Sequence, residues 1–230
     1  ALAAWLGFTL PSAVVLILLA LGIARHSTAI PPGALHGLKV VAVAVVAQAV
    51  WGMARNLCTD APRVAVMLLA ACVALLQTSA WGQVGVIVVA GVAGLLLFKP
   101  TPPTAHDALP VTISRRAGTL WLSLFVLLLA GLPILAQLTP NATLAVTDAF
   151  YRTGSLVFGG GHVVLPLLQA EVVPRHWVNN DVFLAGYGAA QAMPGPLFTF
   201  AAFLGAAMYA APNGWLGGLI CLLAIFAPSF

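Results

Sequence analysis

The sequence predicts an all-α fold: a polytopic transmembrane helical bundle in which two helices are discontinuous or re-entrant. Three observations predict it. Of the 230 residues, 62% are hydrophobic and 6% charged, with a mean hydropathy of +1.07, whereas soluble domains carry roughly 25% charge. Apolar runs approach the ~20 residues that cross a bilayer at ~1.5 Å rise per residue, with room for roughly six to eight helices. Two of these runs are interrupted by glycine and proline, at Phe158-Gly159-Gly160-Gly161-His162 and Pro194-Gly195-Pro196. At membrane depth, non-helical backbone persists only where protein or a watery cavity satisfies its amides and carbonyls, so such breaks usually line a site.

Taken in order, six stretches read as membrane helices: about 2–23, 37–54, 64–79, 82–98, 118–137 and 214–227. Residues 145–173 and 182–211 are apolar but contain the two breaks, and each reads as a broken helix. Trp177-Val178-Asn179-Asn180-Asp181 connects them and belongs at an interface. The long polar segment from Lys99 through Pro100, Pro102 and Pro103 to Arg115-Arg116 has the proline content of an extended linker. It divides the chain into 1–98, 99–117 and 118–230, read as the end of one transmembrane repeat, a linker and a second repeat incomplete at its C-terminus. The positive-inside rule places Arg55, Arg63, Lys99, Arg115 and Arg116, and with them the linker, on the cytoplasmic side.

An internal echo supports the duplication: Phe8-Thr9-Leu10-Pro11-Ser12 resembles Phe226-Ala227-Pro228-Ser229. The chain also starts without Met in an apolar run and stops without a polar tail, so both ends read as cut from a longer protein. Duplicated halves, often inverted, are common among transporter folds.

The nine Lys and Arg against five Asp and Glu give a formal charge of +4. In a membrane protein this reflects cytoplasmic loops rather than nucleic-acid binding. Cys58, Cys72 and Cys221 stand singly and read as small hydrophobes. There is no His-Glu-x-x-His pair, no Gly-x-Ser-x-Gly elbow and no P-loop, so the sequence does not read as an enzyme, and no cofactor is implied.

The candidate site residues cluster at the breaks. Gly159, Gly160 and Gly161 have no side chains to hold a ligand away, so their amides suit an anion-binding nest; equally, three glycines let helices pack closely. Pro194, Gly195 and Pro196 form the second break, or a simple turn. Arg152 is a charge in an apolar stretch, read either as a counter-charge for an anion or as a snorkelling side chain paired with Asp148 four residues earlier. His162 suits donation to an oxyanion or a proton-coupled step, or plain packing. Gln191 needs a partner, either a ligand or a neighbouring helix, and Thr199 shares that ambiguity. Glu171, Arg175, His176 and Trp177 read as interfacial anchors.

Phe158-Gly159-Gly160-Gly161-His162-Val163-Val164-Leu165-Pro166, Trp177, and Ala190 through Gly205 in this order and spacing resemble the signature of the chromate ion transporter family. Phe8 to Ser12 resembles the Phe-x-Leu-Pro-Ser element of that family's first half. The resemblance implies a two-repeat, multi-pass inner-membrane protein that exports chromate and confers chromate resistance. Its implied partners are chromate or a sulfate-like oxyanion and the lipid bilayer, with a homodimer allowed. The family's first-half glycine motif and Pro-Gly-Pro are missing from this chain. Two alternatives stay open: transport of sulfate or another oxyanion, and a non-transporting helix-packing or assembly module.

Overall fold

A computed structural model describes residues 2–25, 32–76, 80–98, 114–157 and 164–229, which form helices and, among the described residues, no strand. The helices are α1 (Leu2–Arg25), α2 (Pro32–Leu57), α3 (Ala61–Leu76), α4 (Ala80–Leu97), α5 (Arg115–Leu138), α6 (Ala142–Leu156), α7 (Val164–Val172), α8 (Asn180–Ala192), α9 (Phe200–Ala207) and α10 (Gly214–Phe226). Short 3₁₀ turns occupy Leu197–Thr199 and Ala227–Ser229. All six expected plain helices form, and both broken stretches resolve into two helices each. Most of the 99–117 linker lies outside the described residues, but α5 already starts at Arg115, inside its expected end.

Among the described residues, three helices are long and apolar enough to cross a membrane: Ala3–Ile23, Val40–Leu57 and Arg115–Leu138. The expected spans at 64–79 and 214–227 are shorter than a straight crossing needs, because α3 has 16 residues and α10 has 13. At ~1.5 Å per residue these reach about 20–24 Å against a hydrocarbon core of ~30 Å. Pro11 and Pro133 lie inside α1 and α5, a placement that membrane helices tolerate when neighbours satisfy the freed backbone.

The chain divides into two compact units, Ala1–Gly52 with Leu129–Phe230, and Met53–Leu128. In the second, α3 packs on α4, and Arg63 lies over the Phe98 ring at 5.0 Å while pairing with Asp60 at 3.6 Å. Its apolar side chains face outward: Leu75, Leu76, Leu95 and Leu96 are each more than four-fifths exposed. At about 25 cal/mol per Å² such faces would be costly in water, and hydrocarbon is the medium that suits them.

The first unit has a true interior. The eight residues of α9 are all buried, with Phe200, Phe203 and Leu204 fully so, because the helix is apolar on every side and must be enclosed. It is packed by α10, α1 and α8. Phe183 and Tyr187 of α8 meet Phe200 edge-on at 5.1 and 5.9 Å. Gly205 and Gly217 let α9 and α10 approach backbone to backbone: a Cβ on either would run into the other's carbonyl oxygen.

Candidate functional site

The site region belongs to the first unit and is built from the two broken helices and α1. The first broken helix begins at Asn141, whose side chain accepts from the amides of Thr143 and Leu144 and so caps α6. It leaves the helical conformation at Val157 (φ −79, ψ 101). Gly159, Gly160, Gly161 and His162 lie outside the described residues. Helix resumes at Val164, with Pro166 in the first turn of α7, where its missing amide costs nothing.

Arg152, on α6, is the centre of an ion network. Its guanidinium lies 3.3 Å from the Asp148 carboxylate, the helical pairing anticipated from the four-residue spacing. It also donates to Glu171 Oε1 of α7 at 3.0 Å. Glu171 in turn holds Arg175 at 2.8 Å, and Arg175 lies over the Trp177 ring at 4.9 Å. The side chains of Arg152, Asp148 and Glu171 are 14%, 7% and 10% exposed. Two guanidiniums and two carboxylates balance, so each buried charge has a partner, as burial demands. The network joins α6 to α7 across the break. The bond to Glu171, nineteen positions away, has no sequence signal, and Glu171 is a buried network member rather than a plain surface anchor.

The second broken helix starts at the cap Asn179, which accepts from Val182 N, giving the polar connection its local purpose. Gln191, in the last turn of α8, donates from Nε2 to the Tyr187 hydroxyl at 2.8 Å, so a neighbour one turn back supplies one partner. The chain is extended at Met193 (φ −93, ψ 133) and Pro196 (φ −69, ψ 135). Pro194 and Pro196 have no N–H with which to continue the helix. Their carbonyls are answered from outside it. Ser12 of α1 donates to the Pro194 carbonyl at 2.7 Å, and the Thr199 hydroxyl and amide donate to the Pro196 carbonyl at 2.8 and 2.9 Å. Gly195 lies directly on α1, where a Cβ would collide with the Ser12 hydroxyl. Thus Pro194, Gly195 and Pro196 are gathered against α1, while the ion pairs of Arg152 go to Asp148 and Glu171. The Ser12 contact spans 182 positions, and the sequence carries no signal for it.

An apolar helical bundle with two broken helices and a balanced buried ion network defines a multi-pass membrane protein of the transporter type. The chain belongs to the chromate transporter family, whose pattern matches residues 1–95 and 144–230. It is 40% identical over 86 residues to "Uncharacterized transporter YwrB" of Bacillus subtilis (strain 168), covering 36% of this chain and 42% of that protein. It is 33% identical over 79 residues to "Chromate transport protein" of Pseudomonas aeruginosa, covering 34% of this chain and 18% of the relative. "Uncharacterized transporter MJ0718" of Methanocaldococcus jannaschii aligns with all of this chain and 56% of its own length at 22% identity. The matched part of the chain thus covers between 18% and 56% of the length of these relatives. No solved structure matches it.

Proposed function

We infer that this protein is a secondary transporter that exports chromate across the inner membrane and so confers chromate resistance, with sulfate-like oxyanions competing for the same path. The observation that carries this reading is the Pro194–Pro196 break, pinned by Ser12 to α1 in a chain that belongs to the chromate transporter family. A tetrahedral dianion needs several converging donors without so much affinity that release stalls. In this reading Gly159, Gly160 and Gly161 offer backbone amides as a nest, His162 and Gln191 offer side-chain donors, and Pro194, Gly195 and Pro196 shape the facing wall. Arg152 is already countered by two carboxylates, so a dianion draws on its charge only by displacing one of them. In this reading the 99–117 linker separates the end of a first repeat from a second, and the residues proposed to meet the oxyanion belong to the second.

Export of a dianion from a negative-inside cell is electrically downhill by ~2.3 kcal/mol per charge per 100 mV, so no ATP site is required. The test is chromate uptake into everted membrane vesicles carrying the full chain, with excess sulfate as competitor. Uptake is expected, and Gly160→Val is expected to abolish it while leaving membrane insertion intact. Full activity in Gly160→Val rejects the glycine nest; absence of uptake by the unsubstituted protein rejects chromate as substrate.

A further inference from the structure

Thr9 carries a buried hydroxyl that the fold leaves unanswered. It lies on α1 with 0% exposure, and its Oγ1 has no hydrogen-bond partner among the described residues. A helical threonine or serine has a ready acceptor in the carbonyl four residues back. Thr147, Thr153 and Ser155 of α6 all use it, each at 2.8 Å. Thr9 does not, and a buried hydroxyl without a partner calls for a physical account.

Its position supplies one. Thr9 is one turn before Ser12 on the same buried face of α1. The second break lies over that turn: Ser12 holds the Pro194 carbonyl, and a Cβ on Gly195 would come within 3.5 Å of the Phe8 carbonyl oxygen. The 3₁₀ turn Leu197–Thr199 packs on α1 as well. Two hydroxyls therefore stand at the break, and a third, that of Thr9, lies one helical turn from Ser12 on the face that the break covers. Ser12 and Thr199 each commit their single proton to a proline carbonyl. The prolines contribute no amide of their own. Of the three, Thr9 is the hydroxyl whose proton has no acceptor among the described residues.

We propose that the Thr9 hydroxyl donates to an oxygen of the transported tetrahedral oxyanion at the Pro194–Pro196 break, so that α1 contributes directly to the binding site of the second broken helix. The assignment rests on the oxyanion-carrier reading above. A neutral hydroxyl suits a carrier, since it orients an oxyanion without adding a full charge that would slow release. Chromate and sulfate both present four oxygens in tetrahedral array, and the contact serves either.

The experiment compares unsubstituted protein, Thr9→Val, Thr9→Ala and Thr9→Ser, each as the full chain. Uptake kinetics in everted vesicles are measured with chromate and with sulfate, alongside thermal melting in detergent with and without each anion. Thr9→Val keeps the shape and removes the hydroxyl. It is expected to melt no lower than the unsubstituted protein in anion-free buffer, yet to raise KM about tenfold and lose most of the anion-induced melting shift, as for a lost hydrogen bond to a charged group. Thr9→Ala gives the same readouts with a smaller side chain, and Thr9→Ser is expected to restore KM to within about threefold. Unchanged KM and melting shift in Thr9→Val and Thr9→Ala, with transport intact in the unsubstituted protein, overturn the Thr9 assignment alone. An unsubstituted protein that neither moves nor is stabilised by either anion overturns the carrier reading, and this assignment with it.

Discussion

At the scale of single residues, the charges in the apolar interior are organised by partnership. Arg152 bridges Asp148 and Glu171, and removing it leaves the buried Asp148 carboxylate without its counter-charge while Glu171 keeps Arg175. Arg152→Ala is therefore expected to lower stability by about 3–5 kcal/mol, read as a fall in melting temperature and in the folded fraction recovered from membranes. Arg152→Lys is expected to recover part of this, because both contacts are made from the one nitrogen Nη2 and an ammonium restores the charge on a stem of shorter reach and different hydration. A melting temperature unchanged in Arg152→Ala would show that the network contributes nothing. Ser12 acts on backbone instead. Ser12→Ala leaves the Pro194 carbonyl short of a donor, at a cost of about 1–3 kcal/mol, and faster amide hydrogen exchange around residues 190–200 is the expected local sign. Asp148 was legible as a partner of Arg152 from helical spacing. Glu171 and Ser12 were not, since neither carries a periodic signal toward a residue on another element.

At the scale of elements, hydrophobic patterning located the helices well because long apolar runs leave the backbone little alternative in hydrocarbon. The breaks were legible for a related reason: proline lacks an amide and glycine weakens a helix, so Met193–Pro196 departs from helix where the sequence says it should. Helix ends depended on smaller signals. Asn141 and Asn179 cap α6 and α8 through their side chains, and Asn141→Ala is expected to cost about 1 kcal/mol, measured by thermal melting. The α9–α10 contact is the stricter case. Gly205 and Gly217 abut each other's backbone, so Gly217→Leu must push the two helices apart, with an expected loss of several kcal/mol of the order found for overpacked cores or above (~1–3 kcal/mol or more). A Gly217→Leu protein with unchanged melting would contradict this close approach.

At the scale of the whole molecule, outward leucines in α3, α4 and α5 and a closed aromatic interior around α9 describe a protein with two different surroundings. Lipid takes the first, and protein takes the second. Alkaline carbonate washing is expected to leave the chain in the membrane pellet, whereas release into the supernatant would contradict a multi-pass insertion. The proposed carrier also makes an electrical prediction. Chromate uptake into everted vesicles is expected to rise with an imposed interior-positive potential and to need no ATP, since two charges move down the field. Uptake indifferent to potential would point to a neutralising partner ion.

The sequence by itself determined the medium, the helical class and the two places where helix gives way, because these follow from composition and from the local chemistry of proline and glycine. It also carried the family, through a motif whose order and spacing survive in one dimension. Tertiary structure decided which groups answer one another. Glu171 reaches Arg152, Ser12 reaches the Pro194 carbonyl, and Thr9 is left buried with a hydroxyl unanswered. Each of these depends on how separate helices pack, and packing in a uniformly apolar chain is set by close approach and polar pairing across elements, which no periodicity along the chain records.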